Sequence, residues 1–216
     1  MAIVCYSNPM TSLLIATNNA GKLREYEQLL ACLKIRLCTP LGLGLSLSVP
    51  EDGGTYAENA RAKALSYAHA SGLLTLADDS GLEVDVLGGE PGLRSARYAG
   101  EGASDADRCC LLLRELDGIP WGKRTARFRC ILVVATTGGT TYSTEGICEG
   151  GIAFEPQGSH GFGYDPIFYP AQYGQTMAQL PTKVKNCLSH RGRAVQKMLP
   201  VLAHLLAENP DQDRGG

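Results

Sequence analysis

The segment from Thr125 to Cys148 constrains the fold more than any other part of the chain. From Thr125 to Ala135 apolar residues alternate at first and then run together as Ile131-Leu132-Val133-Val134-Ala135. That run has strand length, since a membrane span needs about 18 apolar residues. Gly138-Gly139 supplies a tight turn, and Thr140 to Cys148 returns as a partner strand. The pattern predicts a β-hairpin. A purely parallel doubly wound sheet has no hairpin, so the sheet is expected to be mixed, with helices on its faces.

The rest of the chain alternates strand and helix signals. Leu13-Leu14-Ile15-Ala16 reads as a buried strand, and the polar stretch Thr17 to Gly21 as the turn after it. Leu23, Tyr26, Leu29, Leu30 and Leu33 then recur at helix spacing. Lys34 to Cys38 is a second strand candidate, and residues 39–54 read as loop. Thr55 with Glu58 is a capping-box signature opening a helix with Ala57, Ala60, Ala64 and Ala68 on one face. Leu73 to Ala77 reads as a strand broken at Asp78-Asp79-Ser80-Gly81. Leu82, Val84 and Val86 alternate with acids beyond the break. Residues 88–103 read as a glycine-rich loop. Ser104 with Asp107 caps a helix running to about Leu116, where Gly118 stops it. Residues 149–170 read as an unusual loop rich in glycine and aromatics. A last helix starts near Thr182 or Ser189 and runs to about Leu206, with Pro200 expected to kink or restart it.

A chain of 216 residues makes one large domain or two small lobes. Residues 1–12 and 209–216 carry no periodicity and are expected to be loose tails around a single domain at 13–208. The net charge of −2 argues against a nucleic-acid wrapper or a polybasic membrane binder. No basic segment followed by a long apolar core opens the chain, so no signal peptide is expected. The eight cysteines form no CxxC pair and read as reduced thiols of a cytoplasmic protein.

Four constellations carry chemistry, and each also has an ordinary structural reading. Thr17 to Gly21 feeds a helix whose first residue reads as Lys22, and free N–H groups at such a terminus bind phosphate. A lysine there is misplaced for helix stability, which points to an anionic ligand; the alternative is a plain βα turn. Asp78 and Asp79 are adjacent acids that need a counter-charge. With Glu51 and Asp52 nearby they form an oxygen-only set suited to Mg²⁺ or Mn²⁺; the alternative is a turn. Gly161-Phe162-Gly163-Tyr164-Asp165-Pro166 offers aromatic faces for a nucleobase, with Asp165 as an acceptor, or a glycine-rich hairpin. Lys185 with Ser189-His190-Arg191 resembles an anion site, or a solvated charged face. Together these are the parts of an enzyme acting on nucleotide phosphates.

The motifs also carry a resemblance. Thr17-Asn18-Asn19-Ala20-Gly21-Lys22 resembles the TxNxxK motif of the inosine triphosphate pyrophosphatase family, the Ham1/RdgB-type non-canonical purine nucleoside triphosphate pyrophosphatases. Glu58-Asn59-Ala60 with Lys63-Ala64, Asp78 to Leu82, Pro91-Gly92 with Ser95 to Tyr98, Gly161 to Phe168, and Ser189 to Arg191 match its other motifs in order. The likeness spans about residues 13 to 206.

The resemblance implies an elongated α/β fold of two lobes around a long mixed sheet, with the active site in the cleft between them. It implies hydrolysis of ITP, dITP and XTP to the monophosphate and pyrophosphate with Mg²⁺, in a homodimer that clears deaminated purines from the nucleotide pool. By position, Asp79 is the general base and a metal neighbour, and Glu51 the metal-binding glutamate. Thr17, Asn18, Asn19, Ala20, Gly21 and Lys22 grip the triphosphate, with Ser80 and Lys185 beside them. Phe162 stacks on the base, and Gly163, Tyr164 and Asp165 shape its pocket. His190 and Arg191 contact the base and its 6-oxo edge.

Overall fold

The computed structural model describes residues 11–208. Of the tails expected at 1–12 and 209–216, residues 1–10 and 209–216 lie outside the described residues, and Ser12 already belongs to the first strand. Six strands form one sheet in the order β2-β1-β3-β4-β5-β6. They are β1 (Ser12–Ile15), β2 (Arg36–Cys38), β3 (Thr75–Val84), β4 (Thr125–Ala135), β5 (Thr141–Ile152) and β6 (Phe168–Pro170). β1 runs parallel to β2 and β3, and every other pairing is antiparallel. The sheet is mixed, as the hairpin required.

Five α-helices flank it: α1 (Ala20–Leu29), α2 (Tyr56–Ser71), α3 (Asp105–Glu115), α4 (Thr182–Leu188) and α5 (His190–Glu208). α2 lays Ala60, Ala64 and Ala68 on Leu14, Ala77, Val133 and Ala135 of one sheet face. Small residues let that helix sit close to the strands. On the other face Tyr26 of α1 and Ala194, Val195, Met198 and Leu202 of α5 bury Leu76, Cys130 and Leu132. Farther along this face a separate core joins Leu82, Val84 and Phe128 to Cys109 and Leu112 of α3 and Leu188 of α4. The two cores on that face give the molecule its two lobes. Between them on β3 lie Asp78 and Ser80, where the apolar alternation of Leu76, Leu82 and Val84 is interrupted.

Three expectations change. The turn-like Asp78-Asp79-Ser80-Gly81 does not break a strand. It is the middle of β3, because every residue from Thr75 to Val84 is paired with β4. The 149–170 loop contains β6, which returns to pair with Gly150 to Ile152. The last helix breaks at Ser189, whose extended backbone separates α4 from α5 and whose Oγ accepts from Gly192 N–H at 3.1 Å. Pro200 sits inside an unbroken α5. Its ring removes only the one hydrogen bond to the carbonyl four residues back, and the buried face at Met198 and Leu202 holds the helix together. Thr55 caps α2 with one half of the expected capping box, its Oγ1 accepting from Glu58 N–H at 3.2 Å; the full box forms at Ser104 with Asp107.

α5 approaches β5 at Gly146, where an added Cβ would overlap the His190 carbonyl oxygen and lie 2.5 Å from Ala194 N. Both obstacles are backbone, so neither can rotate away. Gly146→Ala is expected to cost about 1–3 kcal/mol of stability, or more if α5 is displaced. Urea unfolding of the variant checks this, and an unchanged midpoint would contradict the close contact.

Candidate active site

β1 is only four residues long, and its pairing with β3 stops at Ile15 with Leu76. From Asp78 to Gly81 no strand pairs with the β1 side of β3, and this stretch is a free edge; beyond it Leu82 N–H donates to Ser95 Oγ and Glu83 bridges to Pro91. Asp79, Ser80 and Gly81 of this stretch line a cleft, and Asp78 is buried beside it.

Strand side chains alternate, so the two adjacent acids point to opposite faces. Asp78 is 2% exposed and meets Lys22 Nζ at 2.9 Å and Arg191 Nη2 at 3.4 Å. Burial alone would raise its pKa, but the charges of Lys22 and Arg191 override this and hold the carboxyl well below the usual range. Asp79 lies on the α2 face. Its Oδ2 accepts from Asn59 Nδ2 at 2.8 Å and its Oδ1 from the Ser80 N–H at 2.9 Å. Among the described residues no cation makes an ion pair with it. Burial therefore raises its pKa, only partly offset by the Asn59 bond and the field of Lys22. The lysine that sequence alone assigned to a ligand thus has a protein counter-charge in Asp78, and only Asp79 is left without one.

A buried ion network continues from Asp78. Arg191 Nη1 also binds Glu25 Oε2, and Glu25 Oε1 meets Lys185 Nζ at 2.7 Å. Lys185 binds Asp165 as well. Three carboxylates (Glu25, Asp78, Asp165) thereby face three cations (Lys22, Lys185, Arg191). Burial would raise Glu25 too, but Arg191 and Lys185 bring its pKa below the usual carboxylate value. Burial would lower Lys185, and Asp165 and Glu25 outweigh it and raise its pKa.

Phe162 covers this network. Its ring centroid lies 5.0 Å from Lys185 Nζ and 5.6 Å from Arg191 Cζ. The glycine before it is required by geometry. Gly161 has φ 80°, and a Cβ there would collide with the Asp165 carboxylate, whose Oδ2 accepts from Phe162 N–H at 2.8 Å. Tyr164 is buried and donates its hydroxyl to the Ser95 carbonyl at 2.9 Å. His190 stacks on Phe128, 4.7 Å between centroids. Burial, with Arg191 and Lys185 close by, pushes its imidazole well below the ordinary value, so it is neutral at pH 7. His190 Nδ1 and Arg191 Nε are buried without a hydrogen-bond partner among the described residues. Both residues line the cleft, where a ligand could satisfy them.

Most of the residues expected from sequence converge. Lys22, Glu51, Asp79, Ser80, Phe162, Gly163, Tyr164, Asp165, Lys185, His190 and Arg191 line the cleft. Thr17, Asn18 and Asn19 line an adjoining recess that shares Lys22, Glu51 and Ala96 with it. Asn19 caps α1, its side-chain oxygen accepting from Lys22 N–H at 3.0 Å, so α1 starts at Ala20 rather than Lys22. Ala20 and Gly21 line neither space. Ala20 is exposed, and Gly21 is buried under Phe162, where a Cβ would lie 2.6 Å from the ring. Asp52 is exposed and lines neither space, which leaves Glu51 as the carboxylate of that loop facing Asp79's cleft.

Sequence reasoning missed several participants. Glu25 sits in an amphipathic helix next to Tyr26, and its only signal was a position one turn past Lys22. Asn59 and Lys63 were noticed as motif members without a role. Lys63 pairs with Glu51 and reaches the Asp78 carbonyl at 3.4 Å. Asp105 and Arg108 of α3 also line the cleft.

The donor chemistry admits a divalent cation. No group of three or more metal-ligating side chains exists among the described residues. Glu51 and Asp79 nevertheless share the cleft, and Asp79 is a buried carboxylate with no ion-pair partner. Mg²⁺ is commonly bound by one or two carboxylates, with substrate phosphates and water completing the shell.

A sequence model described as the Ham1 family matches residues 13–201. A dITP/XTP pyrophosphatase of Desulforamulus reducens is 47% identical over 193 residues, covering 89% of this chain and 96% of the relative. One from Geobacillus kaustophilus is 48% identical over 189 residues, covering 88% and 93%. Among solved structures, a HAM1 protein from Coxiella burnetii superposes with a TM-score of 0.79 at 38% identity, covering 92% of this chain and all of that one. The Staphylococcus aureus Ham1 protein gives 0.77 at 37%, covering 92% and 99%.

The ion network predicts a pH signature. In the folded chain Asp78 and Glu25 have lowered pKa values, so their stabilisation is present above the usual carboxylate range and is lost as pH falls. Arg191→Met leaves both acids buried with one cation fewer, an expected loss of about 3–5 kcal/mol at pH 7.5. The deficit should shrink towards pH 4.5, where the stranded acids take up protons. Urea unfolding at both pH values tests this, and equal deficits would contradict it.

Proposed function

The chain belongs to the Ham1 family, and we propose that it hydrolyses the non-canonical purine nucleotides dITP, ITP and XTP to the monophosphate and pyrophosphate. The observation that carries the reading is the divided carboxylate pair on the free edge of β3. Asp78 is neutralised by Lys22 and Arg191, while Asp79 keeps a raised pKa at the cleft wall. Neighbouring groups whose pKa values are pushed apart mark an assignment of roles. Asp78 organises cations, and Asp79 is the base.

In this reading the recess lined by Thr17, Asn18, Asn19, Lys22 and Lys63 holds the triphosphate, with Ser80 in the main cleft and Lys22 and Glu51 shared by both. Phe162 stacks on the purine, with Lys185 Nζ and Arg191 Cζ within 5.0 and 5.6 Å of its ring centroid. Gly163, Tyr164 and Asp165 shape the base pocket, and Asp165 also fixes the loop through Phe162 N–H. Arg191 and His190 supply polar atoms for the 6-oxo edge. Adenine presents an amino group there, which leaves a donor such as Arg191 unmatched. Glu51 and Asp79 would hold Mg²⁺, or Mn²⁺ in its place, whose charge offsets that of the phosphates.

Asp79 then accepts a proton from water. The water oxygen bonds to the α-phosphorus, the bond from that phosphorus to the β-phosphate bridging oxygen breaks, and pyrophosphate departs. Asn59 and the Ser80 N–H each use one lone pair of Asp79, fixing its plane and leaving room for the proton. The same reading makes residues 13–208 one two-lobed domain and the enzyme a cytoplasmic homodimer. Seven cysteines among the described residues are free, in keeping with a reducing compartment. No described helix is long and apolar enough to cross a membrane.

Purified protein with Mg²⁺ should release IMP and pyrophosphate from ITP, with XTP and dITP far ahead of ATP and dTTP. Chelation should abolish turnover and added Mg²⁺ restore it. Asp79→Asn should lose about 10²-fold or more in kcat with its circular dichroism unchanged. Release of orthophosphate, or full activity in Asp79→Asn, would refute the assignment.

A further inference from the structure

We propose that Arg108 reads the 2-position of the purine, favouring xanthine and disfavouring guanine. The inference rests on the reading of the cleft as a purine triphosphate site and goes beyond it, since no motif of the chain points to Arg108.

Arg108 lies in the first two turns of α3, and its side chain is 16% exposed. Nη1 donates to the Ala96 carbonyl at 3.0 Å and to the Ala103 carbonyl at 2.6 Å. Nη2 pairs with Asp105 Oδ1, and the other oxygen of Asp105 accepts from Gly163 N–H at 2.6 Å. The guanidinium is therefore fixed between the segment carrying Ala96 and the loop carrying Phe162. An arginine has five N–H donors. These contacts use three, which leaves Nε–H and one Nη2 hydrogen without a partner among the described residues. Arg108 also lines the cleft.

Its place relative to the base follows from Phe162. Lys185 Nζ and Arg191 Cζ lie 5.0 and 5.6 Å from the centroid of that ring. The next residues, Gly163 and Tyr164, are held by α3, through Asp105 and through Cys109 Sγ, which lies 3.5 Å from the Gly163 carbonyl. A purine on Phe162 with its 6-oxo edge towards Arg191 turns its C2–N3 edge towards α3. Xanthine carries a 2-oxo acceptor there, and Arg108 has donors to meet it. Guanine carries a 2-amino donor, which sets donor against donor. Hypoxanthine carries only C–H and gains neither the bond nor the penalty. Asp105 also lines the cleft, and its two oxygens are turned to Arg108 and to Gly163 N–H.

The test compares kcat/KM for XTP, ITP and GTP within each enzyme preparation, so that a loss of folded protein cancels in the ratios. Arg108→Met removes the donors at similar length. Its XTP:ITP ratio should fall about tenfold and its GTP:ITP ratio should rise. Arg108→Gln offers both a donor and an acceptor. It should retain more of the XTP:ITP ratio than the methionine variant and raise GTP:ITP further. Ratios unchanged from the native enzyme in both variants would overturn the proposal, placing Arg108 as a tie between loops or a ribose contact. A native enzyme that cleaves none of the three nucleotides would instead refute the purine reading of the cleft, and this assignment with it.

Discussion

The molecule depends on a six-membered ion network buried where its two lobes meet. Lys22, Lys185 and Arg191 balance Glu25, Asp78 and Asp165, and five of the six are at most 7% exposed. Removing a charge from water costs several kcal/mol, so such a cluster persists only if each ion finds opposite charge and hydrogen bonds. Here the partners come from α1, β3, the glycine-aromatic loop, α4 and α5. Hydrophobic packing holds each lobe separately, but it stops at Asp78 and Ser80 on β3. The junction is therefore held by directional contacts, which fix the relative placement of elements more narrowly than apolar packing alone.

That network also sets the chemistry of its neighbour. Adjacent strand residues face opposite ways, so Asp78 and Asp79 share a sequence position but not an environment. One carboxylate absorbs the cations of the α1–α5 face. The other, on the α2 face, is held by an amide and a backbone N–H and remains basic. Were both acids served by the cations, neither would accept a proton near neutral pH. The free edge of β3 makes the arrangement usable, because a longer β1 would pair with these residues and close the cleft.

Much of this was legible in the residues. Apolar runs and glycine turns located β1, β4 and β5, and threonine and serine caps located the starts of α2 and α3. The polar motifs named most of the side chains that line the cleft. The errors were local rules overruled by tertiary contacts. Asp-Asp-Ser-Gly has turn chemistry, yet ten consecutive pairings with β4 hold it extended. Pro200 signals a break, yet burial of α5 on the sheet carries the helix through it. β6 is three residues long, and its pairing with β5 exists only after the chain has folded back. Glu25 carried no signal beyond its place one turn past Lys22, because its partners lie 160 and 166 residues away along the chain.

Sequence by itself determined the mixed sheet, the order of its elements and the identity of the groups offered for catalysis. These follow from periodicity, turn geometry and side-chain chemistry, which act over a few residues. Only the tertiary structure decided which of two adjacent aspartates is quenched and which stays basic, where β3 loses its neighbour, and that Arg108 faces the cleft. Those outcomes depend on burial and on charges brought together from distant parts of the chain, and a local pattern does not encode the field at a side chain.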